Sequence, residues 1–203
     1  MDESRKIAAI LVADVVGFSR LAGADEDRPL ARLRALRSDL IDPTIAVHKG
    51  RVVKRTGDGA IVEFRSVVDA VRCAIEIQNS MIERNTGLPP ERRIEFRVGI
   101  HLGDVVEESD GDLMGDGVNI AARLEGVAQP GAICLSEDAY RQVKSRLDLR
   151  LRLVSAIARG RRWLDEIFPV APRPTRSKDM GDEYGRRQTS RRRRVSFHAP
   201  CRS

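Results

Sequence analysis

Arg51-Val52-Val53-Lys54-Arg55-Thr56-Gly57-Asp58-Gly59-Ala60-Ile61-Val62-Glu63-Phe64 is the stretch that decides the fold. Two short β-branched runs flank a Gly-Asp-Gly turn, which predicts a hairpin with strands over Arg51–Arg55 and Ala60–Phe64. Upstream, Ile7 to Val16 is rich in Ile, Val and Leu and closes at Gly17, which predicts a buried strand. Between them, Asp25 to Ala46 carries Leu30, Leu33, Leu36 and Leu40 at three- and four-residue steps, a helical region that Pro43 should break or kink. Downstream, Ser66 to Asn85 predicts a helix capped by Ser66, with Asp69 in its first turn and an apolar stripe of Val67, Val71, Ala74, Ile75, Met81 and Ile82. Ile94 to Val106 predicts a strand, Gly117 to Val127 a helix, Ala132 to Leu135 a strand, and Ser136 to Leu147 a helix capped by Ser136. Strands and helices alternate around one central hairpin, so the expected class is α/β (α+β), helices against one mixed sheet.

Composition sets the bounds. The chain has 203 residues, 41% hydrophobic and 33% charged, as expected of a soluble globular protein. Ile7–Val16 holds an Asp and is too short to cross a bilayer, and no secretory cleavage pattern follows it, so a cytoplasmic protein is expected. Cys73, Cys134 and Cys201 form no C-x-x-C pair; Cys73 and Cys134 read as buried apolar residues in a reducing compartment. Fifteen of the 36 Lys and Arg, but only five of the 30 Asp and Glu, lie from Arg150 onward, so the net charge of +6 divides into +10 there and −4 before it. The high pI therefore says little about what the body of the protein binds. The chain is expected to divide into a domain over 1–148 and a basic tail over 149–203, with disorder from Pro169 onward. The run Arg191–Arg194 has no interleaved aromatics and suits a solvated tail better than a specific nucleic-acid interface.

Two carboxylates stand out. Asp14 interrupts an apolar strand, where an unpaired buried carboxylate is costly; a bound cation would remove that cost, and a strand-end Asp facing water would avoid it. Asp58 alone is an ordinary turn residue. If the hairpin lies beside the first strand, the two project to one end of the sheet and offer hard oxygen ligands to Mg²⁺ or Mn²⁺.

Val12-Ala13-Asp14-Val15-Val16-Gly17-Phe18 with Lys54-Arg55-Thr56-Gly57-Asp58-Gly59 resembles the paired metal-binding segments of class III adenylate and guanylate cyclases. Asp112-Leu113-Met114-Gly115-Asp116-Gly117-Val118-Asn119-Ile120-Ala121-Ala122-Arg123 resembles that family's base-recognition and transition-state segment. The likeness runs from about Arg5 to about Leu147. It implies a ferredoxin-like, palm-like cyclase homology domain that turns ATP into 3′,5′-cyclic AMP and pyrophosphate. It also implies two Mg²⁺ or Mn²⁺ ions held by Asp14, the Val15 backbone carbonyl and Asp58. By the same resemblance, Lys54 and Asp112 read adenine, Asn119 positions the ribose, and Arg123 stabilises charge on the phosphate. Because family sites combine residues of two subunits, a head-to-tail homodimer is implied. After Leu147 the family's C-terminal edge strand, its Leu-Gly turn and its triphosphate lysine are expected to be missing. A shifted reading frame or a truncated remnant is one expectation for that segment. The alternative function is a catalytically silent, cyclase-like dimerisation or regulatory module.

Overall fold

The computed structural model describes residues 4–22, 27–147 and 168–170. At its centre lies β1 (Ser4–Val15). It pairs antiparallel along its whole length with β4 (Phe96–Glu107), from Ser4 opposite Glu107 to Val15 opposite Phe96. On its other side it pairs antiparallel with β3 (Gly59–Phe64), which forms the expected hairpin with β2 (Arg51–Thr56). Gly57 takes φ +68° at the first of the two loop positions, the left-handed value a type II′ hairpin turn requires there. β6 (Ile133–Leu135) adds in parallel to β4, and β5 (Leu113–Met114) pairs with the end of β4. β7 (Phe168–Val170) closes the β6 edge with Pro169 opposite Cys134. The sheet is thus mixed, in the order β2-β3-β1-β4-β6-β7.

Alternation along β1 sends Ala9, Leu11 and Val15 to one face and Ala8 and Ile10 to the other, all buried. The first face meets α2 (Asp27–Leu36), α3 (Asp42–Val47), α4 (Val67–Asn85) and α6 (Glu137–Val143) around the main core, which includes Leu33, Phe64, Val71, Ile100 and Leu135. Burying each such side chain is worth about 1.5–3 kcal/mol, so this layer dominates the stability. α4 begins as expected, the Ser66 hydroxyl accepting from Asp69 N–H. Its stripe differs from the expectation at one end: Ile82 is 52% exposed, and Gln78 is buried instead, donating to the carbonyls of Phe96 and Ala132. A buried amide is stable there because it joins β4 to the segment entering β6.

The second face carries only α5 (Asp116–Val127) among the described helices. Gly99 on β4 permits its close approach. A Cβ at Gly99 would lie 2.2 Å from the Ala121 carbonyl oxygen and 2.3 Å from the Glu125 nitrogen, both backbone atoms that cannot rotate away. Gly99→Ala should therefore cost about 1–3 kcal/mol in chemical denaturation, by pushing α5 off the sheet. An unchanged midpoint would contradict this packing.

Three features depart from the sequence expectations. Pro43 does not break the helical region. A π segment, Arg37–Ile41, joins α2 to α3, and Asp42 N–H bonds to the Arg37 carbonyl five residues back. Widening one turn relieves the clash that Pro43 would make with the preceding turn. A short helix α1 (Phe18–Ala22) also follows β1. Disorder from Pro169 onward and a missing C-terminal edge strand are both corrected at this point: Pro169 and Val170 lie in β7, which pairs with β6. The boundary at 148 and most of the basic segment lie outside the described residues. Among the described residues, no helix is long and apolar enough to cross a membrane.

Candidate functional site

β1 and the β2–β3 turn deliver Asp14 and Asp58 to the same end of the sheet. Ala13 is paired with Ala60, so Asp14 follows alongside Gly59. A Cβ on Gly59 would lie 3.2 Å from Asp14 Oδ1 and 2.7 Å from the Ala13 carbonyl oxygen, so only glycine lets the strand end and the turn approach this closely. Burial pushes the Asp58 carboxyl above its ordinary value, and the neighbouring Asp14 charge pushes it further; a backbone hydrogen bond and Arg37 oppose this without prevailing. Two adjacent carboxylates with water access, one of them held above its ordinary value by burial and its neighbour, match the donor set of a hard divalent cation. Among the described residues no group of three or more His, Cys, Asp or Glu gathers as a closed cage. The pair is thus a partial ligand set, which fits ions that keep waters and take oxygens from a phosphate ligand. Val15 ends β1 directly beyond Asp14, its side chain buried.

Of the two readings the sequence leaves open for Asp14, the structure shows the strand-end carboxylate that reaches water rather than an unpaired buried one. Its side chain is 31% exposed, and Arg97, opposite it on β4, donates from Nη2 to Oδ2 at 3.2 Å. Arg97 also lies 2.9 Å from Glu125 Oε1 on α5. Burial, only partly countered by Arg97, raises the Glu125 carboxyl. The Arg97–Glu125 pair therefore bridges the carboxylate end of β1 to α5. Arg37, from the π segment, donates to the Gly57 carbonyl at 2.5 Å and holds the turn that carries Asp58. Neither arginine was among the candidates from the sequence. Arg97 sits in no local motif, and only the β1–β4 register shows that it faces Asp14.

Lys54 and Asp112 form a second pair, Nζ to Oδ2 at 2.5 Å. The hydrogen bond from Lys54 holds the Asp112 carboxyl below its ordinary value, and Asp112 in turn raises the Lys54 ammonium. Asp112 Oδ1 accepts from Leu113 N–H at 2.9 Å, which fixes the carboxylate plane. A charged donor and a charged acceptor stand side by side at an exposed edge, the arrangement needed to meet a planar group presenting both functions. On α5, Ala121 and Leu124 face the sheet, while Asn119 and Arg123 lie on the exposed side, sharing a face as their spacing requires. The structure therefore brings together Asp14 with Asp58, and Lys54 with Asp112. It puts Asn119 and Arg123 on a surface turned away from the sheet beneath α5.

A sequence profile described as "Adenylate and Guanylate cyclase catalytic domain" matches residues 2–160. Putative adenylate cyclase 3 of Rhizobium meliloti is 48% identical over 145 residues, 71% of this chain and 24% of that protein. Adenylate cyclase 1 of the same organism is 27% identical, over 82% of this chain and 28% of its own length. The chain thus spans about a quarter of the length of these relatives. Among solved structures, an adenylate/guanylate cyclase/hydrolase from Silicibacter pomeroyi superposes with a TM-score of 0.73 at 39% identity, covering 83% of this chain and 98% of that one. The adenylyl cyclase CyaB from P. aeruginosa, at 23% identity and a TM-score of 0.71 over 89% of this chain and 100% of that one, shares the fold.

Proposed function

Since the chain belongs to the adenylate and guanylate cyclase catalytic domain family, we propose that it converts ATP to 3′,5′-cyclic AMP and pyrophosphate in a head-to-tail homodimer. The meeting of Asp14 and Asp58 at one sheet end carries the reading. These carboxylates, with the Val15 carbonyl, would hold two Mg²⁺ or Mn²⁺ ions. Bound there, such ions supply Lewis acidity that activates the ribose 3′-hydroxyl and neutralises the departing pyrophosphate.

The remaining roles belong to the chain's own side chains. Lys54 donates to an adenine ring nitrogen and Asp112 accepts from the exocyclic amino group. Guanine reverses that donor and acceptor order and would leave both groups unpaired, so the pair supports ATP over GTP. Asn119 orients the ribose. Arg123 offers a planar fork of donors to charge growing on the α-phosphate. Arg97, beside Asp14, adds positive charge where a triphosphate would approach. Asn119 and Arg123 would serve the carboxylate pair of the second subunit, consistent with their place on the exposed face of α5. A cytoplasmic location accords with an ATP substrate and with free, buried Cys73 and Cys134.

Purified protein incubated with ATP or GTP and either Mn²⁺ or Mg²⁺ tests the reading directly. Cyclic AMP should accumulate, and cyclic GMP should form from GTP at least about tenfold more slowly. Absence of any cyclic nucleotide under all four conditions would favour the silent, cyclase-like regulatory module, to which the missing triphosphate lysine beyond Leu147 also points.

A further inference from the structure

The β2–β3 ladder contains a one-residue irregularity. Arg51 opposes Glu63 and Val52 opposes Val62, but the residue opposite Ile61 is Lys54. Val53 is therefore the extra residue of a bulge. In a regular strand, residues three apart face opposite ways. Glu63 and Ile61 are two apart and share a face, so the bulge brings their partners Arg51 and Lys54 to one face as well.

On that face Arg51 spreads its guanidinium over three acceptors. Nε donates to Glu63 Oε2, Nη1 to the Gly111 carbonyl and Nη2 to Glu107 Oε1, each at 2.9 Å. Lys6 closes the group, 2.6 Å from both Glu63 Oε1 and Glu107 Oε2. Each of β1 to β4 contributes one charged member. Burial would raise Glu63 and lower Lys6, yet their hydrogen-bonded partners prevail in both cases. Ion pairs this open to water on the Arg51 and Lys6 side add little to global stability. Their effect here is on geometry. Gly111 directly precedes Asp112 and takes φ +84°, a backbone state that turns the chain sharply at this point. One arginine thereby fastens the Asp112 loop to the strand that carries Lys54, three residues further on.

We propose that Arg51 is a positioning residue for base selectivity: it fixes Asp112 against Lys54 and so sets how well the site separates ATP from GTP. This rests on the reading of Lys54 and Asp112 as the purine contacts. A displacement of 1 Å at a binding group can cost up to about a hundredfold, so loosening the loop should be visible in kinetics. Arg51→Ala should raise the KM for ATP about fivefold or more, leave kcat within about twofold, and narrow the ATP-to-GTP ratio of kcat/KM about tenfold. Arg51→Lys, with one point charge in place of the fork, should fall between Arg51→Ala and the unaltered protein. An unchanged ATP-to-GTP ratio in Arg51→Ala, or a loss confined to kcat, overturns the proposal. If the unaltered protein cyclises neither nucleotide, the cyclase reading fails, and hydrogen exchange then decides the clamp separately. In Arg51→Ala the amides of Asp112 and Leu113 should exchange about tenfold faster while those of β1 keep their protection. Equal exchange at Asp112 and Leu113 in both proteins overturns the clamp. Should Arg51→Ala not fold, Glu63→Gln, which removes one of its acceptors' charges, gives the same comparison.

Discussion

Asp58→Asn is expected to lower cyclic AMP formation with Mn²⁺ at least about a thousandfold while making the protein harder to melt. The first effect follows from the donor set. Each 1.36 kcal/mol of lost transition-state stabilisation is a factor of ten, and removing one carboxylate of a metal-binding pair forfeits about 4 kcal/mol or more. The second follows from the direction in which Asp58 is pushed. Burial and the Asp14 charge disfavour its ionised form more than the backbone hydrogen bond and Arg37 favour it. An acid whose folded-state pKa is raised costs stability once pH exceeds its unfolded value, because the folded protein then holds a charge it would rather protonate. At neutral pH a neutral amide of the same shape removes that cost. About 1 kcal/mol is a reasonable scale for such relief, or roughly 2–4 °C in Tm for a chain of this size. Calorimetry without metal should show the gain. With Mn²⁺ the order should reverse: unaltered protein gains about 2.7 kcal/mol at a hundredfold excess over Kd, and Asp58→Asn gains far less. Equal stabilisation of both proteins by Mn²⁺ would show that Asp58 does not hold the ion.

What the sequence could and could not express follows from the range of each interaction. The strand β1, the hairpin and the capped α4 are legible because their signals are local: a short run rich in Ile, Val and Leu closed by Gly17, a Gly-Asp-Gly turn, and a serine three residues before the N–H it caps. The π segment and the Val53 bulge were not, because each inserts one residue without changing composition, and only hydrogen-bond register reveals it. Ile82 was assigned to the buried stripe because four-residue steps drift around a helix. Toward the end of α4 the buried positions are Ile77, Gln78 and Met81, and Ile82 falls outside them. Asp14 and Asp58 lie 44 positions apart, and either one alone is ambiguous; the order and spacing of the surrounding motifs made them a pair. Arg97 lies further off in sequence, outside every motif, and becomes visible only when β4 is laid along β1. The same limit applies to Arg51. Its neighbour Lys54 carried a recognisable pattern, whereas its own three acceptors come from β3, β4 and a loop sixty positions away.

Mixing Asp14→Ala chains with Arg123→Ala chains should restore cyclic AMP formation that neither variant shows alone. In a head-to-tail dimer each of two equivalent sites takes its carboxylates from one subunit and its Asn119 and Arg123 from the other. A mixed dimer then collects both defects in one site and leaves the second intact. With random exchange at equal amounts, half of the dimers are mixed and half of their sites work, so the mixture should reach about a quarter of the unaltered activity per chain. The outward placement of Asn119 and Arg123 on α5 favours this outcome, since the sheet-facing positions of that helix are filled by Ala121 and Leu124. A site built within one subunit gives a different number. Every site would then carry one defect, and mixing could restore nothing, however long the chains were left to exchange. Slow exchange would mimic that failure, so both variants should be co-expressed with different affinity tags and the doubly tagged dimer isolated before assay. Half of the unaltered specific activity in that isolated dimer is the expected value. A doubly tagged dimer as inactive as its parents would rule out sites shared between subunits.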